Sequence, residues 1–301
     1  MQHLISMRDL QSSDILKLVS LAEKIEKGKT KPNLSGKILA ALFFEPSTRT
    51  QLSFETAMKN LGGEVISVVG TASTSITKGE TLADTAIVIA QYANAIVMRH
   101  SAEGSARYIA DLINIPVINA GDGSNQHPSQ SLLDVYSISK TQGRLDNLKI
   151  GLVGDLKYGR TVHSLIYAMA SFKPTFYFVA PNSLKMPPHF TSELKKMGVK
   201  FREHEFIEDV IKDLDILYVT RIQRERFPEI QEYDRVKNIY MITAKMLEKV
   251  KPNLKILHPL PRVNEINKDV DETPYAYYFT QAKNGVFMRE AILATLLGGK
   301  K

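Results

Sequence analysis

Apolar positions in this chain fall into short blocks that alternate between two periods. Continuous apolar runs, as expected of strands buried on both faces, read at Lys37–Phe44, Glu64–Val69, Ala95–Arg99 and Pro116–Ala120. Helical spacing separates them at Leu52–Leu61, Thr81–Tyr92 and Ser105–Leu112, and a helix at about Ser129–Thr141 follows. The polar stretch QGRLDN then marks a domain boundary, after which the alternation restarts. It gives strand Lys149–Val153, helix Thr161–Ala170, strand Thr175–Ala180 and helix Ser192–Met197. Strands Asp215–Val219 and Lys255–His258 follow, with helical stretches between them and a last apolar helix at Val286–Leu297. This alternation predicts an α/β protein of two domains, each a mainly parallel sheet flanked by helices on both faces. A length of 301 residues suits two such domains. Gly70–Gly79, small and hydroxyl-rich, cannot build a core; a loop of that length is either disordered or functional.

Ligands of open parallel sheets bind beyond the carboxyl ends of the strands. There this chain places Ser47-Thr48-Arg49-Thr50, Arg99-His100, the set Asn125, Gln126, His127 and Gln130, then Asp155, Lys157 and Arg160, then Thr220, Arg221 and Gln223, and finally His258-Pro259-Leu260-Pro261-Arg262. Pro46 stops the first strand, and Ser47 or Thr48 can cap the helix that begins near Arg49. A helix N-terminus with three hydroxyls and a guanidinium fork is suited to a phosphate. An ordinary cap needs only one hydroxyl. In the second segment Pro128 suits a first helical turn, with His127 and Gln130 where the helix begins. No second His stands at metal spacing, so His127 reads better as a hydrogen-bond donor to a carbonyl than as a metal ligand. Gly154 to Thr161 has the spacing of a phosphate loop, except that Arg160 replaces its Lys; an Arg fork better fits a carboxylate. Arg221 and Gln223 can hold a second carboxylate. The paired prolines around Leu260 restrict the backbone, and one X-Pro bond is a candidate for cis.

Composition narrows the class further. Apolar residues make up 44% and charged residues 24%, as in soluble globular proteins. No run reaches the roughly 18 apolar residues of a membrane span; Ala86–Met98 is interrupted by Gln91, Tyr92 and Asn94. The N-terminus has no secretory pattern, so a cytoplasmic protein is expected. Cysteine is absent, which excludes thiol catalysis and Cys-ligated zinc in this chain. Net charge is +7, but basic clusters are short and acids are interspersed, which favours a solvated basic surface over a nucleic-acid stripe.

Taken together, STRTxxSFE at 47–55, MRH at 98–100, NAGDGSNQHPSQ at 119–130, GDLKYGRTVHS at 154–164, TRIQRER at 220–226 and HPLPRV at 258–263 resemble aspartate transcarbamoylase catalytic chains, closest to the enteric and archaeal type. The resemblance runs almost end to end. It implies a carbamoyl-phosphate domain of residues 1–140 with a returning helix at 286–301, and an aspartate domain of 141–285. By the same resemblance Ser47, Thr48, Arg49 and Thr50 hold the phosphate, while Thr50, Arg99 and His127 donate to the carbonyl oxygen. Gln130 and the backbone at Pro259, Leu260 and Pro261 position the amide and the incoming amine. Arg160 takes the α-carboxylate of aspartate, and Arg221 with Gln223 the β-carboxylate. Ser75 and Lys78 come from a neighbouring subunit, which implies a homotrimer with shared sites, associated with separate regulatory chains. No cofactor or metal is called for, and neither nucleic acid nor membrane is an expected partner. Gln51 departs from the pattern, standing where many relatives carry a second Arg. Three rival readings are a carbamoyltransferase for another amine such as ornithine, a phosphate-loop nucleotide-binding protein and a basic nucleic-acid binder.

Overall fold

The structure is a computed structural model that describes residues 1–70, 78–222, 224, 227, 229–236 and 239–298. The chain divides into two compact units, one of Met1–Tyr136 with Lys283–Lys301 and one of Ser137–Ala282. Each carries a parallel sheet flanked by helices.

In the first unit, strands β1 (Ile38–Phe43), β2 (Glu64–Val69), β3 (Ala95–His100) and β4 (Val117–Asp122) form a sheet in the order β2-β1-β3-β4, parallel throughout. Chain order reverses between β1 and β3, so successive helices cover opposite faces. They are α1 (Ser12–Glu26), α2 (Thr48–Asn60), α3 (Leu82–Ile89), α4 (Ser105–Leu112) and the first part of α5 (Pro128–Gln142). The apolar run of β1 packs with Ile96, Met98, Ile109 and Val117 into one core. Helix α1 lies outside the sequence reading. Its stripe of Ile15, Leu18, Val19 and Ala22 is buried at i, i+3, i+4 and i+7, the spacing of one helical face.

In the second unit, β5 (Lys149–Val153), β6 (Thr175–Val179), β7 (Lys200–His204), β8 (Ile216–Val219) and β9 (Lys255–Leu257) stand in the order β7-β6-β5-β8-β9, again all parallel. Here the reversal lies between β5 and β8. Helices α6 (Arg160–Ala170), α7 (Pro188–Lys196) and α8 (Ile230–Val236) follow the strands, and α9 (Tyr278–Leu297) ends the chain. Strand β7, Lys-Phe-Arg-Glu-His, also lies outside the reading: it is a largely exposed edge strand that carries no apolar run, with Phe201 and His204 stacked on Phe178 and Tyr177 of β6. Helix α7 starts four residues before the expected Ser192 because Pro188 occupies the first turn, where its missing N–H costs nothing. Helix α9 starts at Tyr278 rather than Val286; Gln281 and Asn284, which read as loop, are buried polar positions inside it. No described helix is long and apolar enough to cross a membrane.

One carboxylate ties the amino edge of the second sheet together. Asp215, just before β8, is 4% exposed; its oxygens accept from the Lys149 N–H (2.8 Å), Lys251 Nζ (2.8 Å) and Asn253 Nδ2 (3.1 Å). Burial alone would raise its pKa, but these donors outweigh it and hold the group below the usual carboxylate range. A depressed folded-state pKa means stability that is present above the unfolded value, roughly pH 4, and lost as pH falls through the folded one. Asp215→Ala is expected to cost about 1.5–3 kcal/mol at pH 7, with a shallower acid limb than the wild type in urea titrations across pH. An unchanged acid limb would assign the acid sensitivity to other groups.

Candidate active site

In the first unit residues 47–50 follow β1 and Arg99 lies at the end of β3, the strands on either side of the switch point, while His127 and Gln130 follow β4. The Phe44 N–H donates to the Arg99 carbonyl (3.0 Å), so the ends of the two strands stay in register as β1 passes into α2. Ser47 takes the N-cap position, but its hydroxyl makes no capping bond, contrary to the expectation that Ser47 or Thr48 caps with its side chain. The first-turn N–H groups of α2 have no acceptor within the helix, and they form its positive pole. Around that pole Thr48 and Arg49 are exposed, Ser47 is half-buried and Thr50 is buried. Gln51, at the departure from the family pattern, donates instead to Glu55 (2.9 Å), which also accepts from Ser67 (2.7 Å).

Arg99, at the end of β3, donates from Nε to Glu45 Oε2 at 2.9 Å. A guanidinium has five N–H donors in a fixed plane, so one bond through Nε orients the whole fork. The neighbouring His100 does structural work: its ring meets Phe44 edge-on, and Nδ1 accepts from the Ala102 N–H (2.9 Å). Burial lowers its pKa despite the opposing charge of Glu45.

The loop after β4 is built around Asp122. This residue is 2% exposed and accepts from Asn119 Nδ2 (2.8 Å), Asn125 Nδ2 (2.9 Å), and the N–H groups of Gln126 (3.1 Å) and Gly104 (2.8 Å). Gly123 has φ 55°, and a Cβ there would fall 2.8 Å from the Ser101 carbonyl oxygen. The loop delivers buried His127 to the start of α5, where its carbonyl accepts from the N–H groups of Gln130 (3.0 Å) and Ser131 (3.1 Å). Pro128 opens the helix, as expected. Gln130 Nε2 donates to Asp134 Oδ1 (2.9 Å) one turn on. Because a carboxylate only accepts, this bond turns the Gln130 nitrogen toward Asp134 and leaves its oxygen as the acceptor it offers elsewhere. Lys78 is exposed beside the segment 71–77; Ser75 and Gln223 lie outside the described residues.

The second unit repeats the arrangement at the β5/β8 switch point. Gly154 has φ 115°, and a Cβ there would sit 2.3 Å from the Thr220 carbonyl oxygen. No other residue allows that approach without a shift of backbone. Thr220 Oγ1 donates to the Val153 carbonyl (3.1 Å) and accepts from the Asp155 N–H (3.1 Å). The loop to Arg160 is thereby pinned beside the strand end that carries Arg221. Asp155 Oδ1 accepts from the N–H groups of Lys157 (3.1 Å) and Tyr158 (2.9 Å). A phosphate loop aims such N–H groups at its ligand; here an internal carboxylate occupies them, which argues against the nucleotide reading. Arg160 begins α6 and is 8% exposed.

After β9, His258 anchors the proline segment. Its Nδ1 accepts from the Leu260 N–H (2.7 Å) and its Nε2 lies 2.8 Å from Glu265. Burial lowers the His258 pKa, the Glu265 carboxylate opposes this, and the charges of Arg221 and Arg262 reinforce the lowering. The neutral ring therefore carries its hydrogen on Nε2 and donates to Glu265, a tautomer dictated by the backbone N–H facing Nδ1. Glu265 also accepts from the N–H groups of Val263 (3.1 Å) and Asn264 (3.0 Å). Leu260 has φ 54° and the Leu260–Pro261 bond is cis. Arg262 pairs with Asp271 through both terminal nitrogens and donates to Tyr278 (2.9 Å). Among the described residues no group of three or more His, Cys, Asp or Glu side chains is placed to hold a metal.

The sequence reading missed the carboxylates Glu45, Asp122, Asp134 and Glu265. Gln130/Asp134 had a legible signal in its i, i+4 spacing on one helix. Glu45 and Arg99 are 54 residues apart, and nothing local pairs them.

Residues 2–140 match the carbamoyl-phosphate-binding domain of aspartate/ornithine carbamoyltransferases, and residues 146–296 match the Asp/Orn-binding domain of the same family. The aspartate carbamoyltransferase catalytic subunit of Parabacteroides distasonis is 55% identical over 296 residues, 98% of this chain and 97% of that one. The catalytic subunit from Methanopyrus kandleri is 52% identical over 299 residues, 98% and 97% of the two chains. Among solved structures, the catalytic subunit of M. jannaschii aspartate transcarbamoylase superposes with TM-score 0.92 at 51% identity, covering 99% of this chain and 98% of that one. Aspartate transcarbamoylase from Trypanosoma cruzi, in complex with carbamoyl aspartate and phosphate, gives 0.90 at 37% identity over 97% and 95%. With both domain profiles matched in order and relatives above half identity along its whole length, the chain belongs to the aspartate/ornithine carbamoyltransferase family.

Proposed function

We propose that this chain transfers the carbamoyl group of carbamoyl phosphate to the amine of L-aspartate, giving N-carbamoyl-L-aspartate and phosphate. The observation that carries this reading is the placement of anion-binding groups at the switch point of each sheet: a helix pole with hydroxyls and Arg49 in the first unit, Arg160 and Arg221 in the second. The relative crystallised with carbamoyl aspartate and phosphate supports the identity of the products.

In this reading Ser47, Thr48, Arg49 and Thr50 hold the phosphate. Thr50, Arg99 and His127 donate to the carbonyl oxygen, and Gln130 accepts from the carbamoyl –NH2. Arg160 and Arg221, with Gln223, take the two carboxylates of aspartate, and the backbone around Pro259, Leu260 and Pro261 guides the incoming amine. The neutral amine attacks the carbonyl carbon; a C–N bond forms and the carbonyl electron pair moves to oxygen. Collapse of that oxyanion breaks the bond to the phosphate oxygen, and the amine proton leaves with phosphate or solvent. Donors fixed in advance where negative charge grows are worth about 2.7–4 kcal/mol each. Glu45 holds Arg99 in orientation before substrate arrives, so little reorganisation is left for the reaction step.

Ornithine is the rival acceptor within the family. Its cationic side chain is poorly matched to a lobe that presents Arg160 and Arg221 beyond the carboxyl ends of the neighbouring strands β5 and β8. The naming of the relatives as catalytic subunits supports a wider assembly with regulatory chains; the same reading makes the chain a homotrimer in which Ser75 and Lys78 serve the neighbouring copy's site.

Purified chain is expected to carbamoylate aspartate and leave ornithine untouched; the reverse preference overturns the assignment. Arg49→Ala should lower turnover by about a hundredfold or more with an unchanged melting curve, and near-normal turnover removes Arg49 from the phosphate site. Arg221→Ala should raise the KM for aspartate far more than that for carbamoyl phosphate; equal rises contradict its role. Mixing inactive Lys78→Ala and Arg49→Ala chains after mild dissociation should restore part of the activity through hybrid sites, and no recovery argues that each copy builds its own.

A further inference from the structure

The proline segment after β9 is open to solvent above and tied below by two buried polar side chains. Pro259 and Leu260 are half-buried and Val263 is 60% exposed, whereas His258 and Glu265 are 2% and 7% exposed. The His258 backbone is itself anchored, its N–H donating to Gln281 Oε1 on α9 (2.8 Å). Each ring nitrogen of His258 then has its own partner. Nδ1 accepts from the Leu260 N–H at 2.7 Å, and Nε2 donates to Glu265 Oε1 at 2.8 Å. The other oxygen of Glu265 accepts from the N–H groups of Val263 (3.1 Å) and Asn264 (3.0 Å). One imidazole and one carboxylate, bonded to each other, thus hold the bend from both sides.

The contacts dictate the state of the ring. A backbone N–H can only donate, so Nδ1 is bare and the hydrogen sits on Nε2. A protonated ring would set a second N–H against that of Leu260. Burial lowers the His258 pKa and works in the same direction, as do the charges of Arg221 and Arg262, with Glu265 opposing them. Leu260 needs such a hold, because its φ of 54° lies in the left-handed region that a residue with a Cβ disfavours. Released from His258, it would relax toward negative φ and rotate the peptide planes on either side of it. Those planes carry the carbonyls of Pro259 and Leu260. An amine has one lone pair with which to attack, and carbonyl oxygens that accept its hydrogens aim that pair.

We propose that His258 is a positioning residue for the incoming amine: its Nδ1 holds the Leu260 backbone in the conformation that presents the carbonyls of Pro259 and Leu260 to the amine, and Glu265 fixes the ring that does so. This deepens the reading of that backbone as the guide of the amine and rests on it.

Two substitutions separate the two ring nitrogens. Asn has an acceptor where the ring has Nδ1 and can take an N–H two residues on, but it stops short of Glu265. Gln reaches Glu265 as Nε2 does and leaves the Leu260 N–H without its acceptor. The full chain is compared as wild type, His258→Gln and His258→Asn. Turnover, KM for aspartate, inhibition by succinate (the same dicarboxylate without the amine), melting temperature and amide hydrogen exchange over residues 258–265 are measured. His258→Gln should lower kcat by about tenfold or more, with succinate inhibition within about twofold of wild type and faster exchange at the bend. His258→Asn should recover most of that turnover and the slow exchange, whichever of the two variants melts lower. A kcat that follows melting temperature in both variants overturns the proposal, since a purely structural ring would behave so. Succinate inhibition that weakens as far as kcat falls also overturns it, because the loss then lies in the grip on the carboxylates. Should His258→Gln not fold, His258→Asn decides alone: retained turnover supports the role, and a loss of about tenfold with the bend still protected overturns it. A wild type inactive on aspartate overturns the parent reading and the positioning role with it, whereas an active wild type whose Gln variant exchanges no faster overturns this proposal alone.

Discussion

A parallel sheet whose chain order reverses must leave a crevice where helices depart to opposite faces, and both sheets of this protein reverse once. At each crevice strand ends, helix starts and loops meet, and the backbone there exposes N–H groups that water or an anion must satisfy. The positions of the charged side chains follow from that constraint. Arg49 sits on the helix that leaves β1, Arg99 on the end of β3, Arg160 on the helix that leaves β5 and Arg221 just beyond β8. Few other places in these lobes would let a guanidinium reach a small anion while its helix pole or strand end adds to the same field.

Many of these basic groups have a carboxylate behind them. Glu45 orients Arg99, Asp271 clamps Arg262, and Glu265 takes the hydrogen of His258. A site for two anions would gain attraction without these acids. What they supply is direction, because a long basic side chain unrestrained in water loses orientation as fast as it gains field. Asp122 and Asp155 extend the same logic to backbone, each drawing N–H groups of a loop onto one carboxylate and so setting the following helix start.

Much of this was legible in the chain and some was not, for reasons that differ by element. Buried parallel strands carry unbroken apolar runs, so β1, β3, β5 and β8 can be read within a residue or two. Strand β7 could not, because an edge strand with exposed faces needs no apolar side chains. The start of α9 was obscured by Gln281, Asn284 and Gly285, whose polarity and small size look like a loop but serve buried hydrogen bonding and the guanidinium of Arg289. At the site, cations stood out because each follows a strand. Their partners did not, since Glu45 meets Arg99 across a crossover and Glu265 meets His258 across a turn of prolines. Ser47 shows the opposite error: its type and place suggest a cap, yet its side chain makes no capping bond.

The family profile covers two acceptors, so substrate choice has to come from the second lobe's own chemistry. His258 offers an indirect view of the field there. With Glu265 bound to it, its protonation should be favoured, yet its pKa is lowered, and the charges of Arg221 and Arg262 add to the effect of burial. Arg262 is answered by Asp271 at close range, so its influence falls off quickly. Arg221 stands at the end of β8, the strand next to the one His258 follows, at the edge where an acceptor is expected. Burial, the larger cause at His258, disfavours charge of either sign; it is the positive charge of Arg221 that repels the ammonium of ornithine and attracts a side-chain carboxylate. Aspartate is therefore favoured over ornithine by the sign of the guanidinium charge at the end of β8, not by the neutrality of His258 itself.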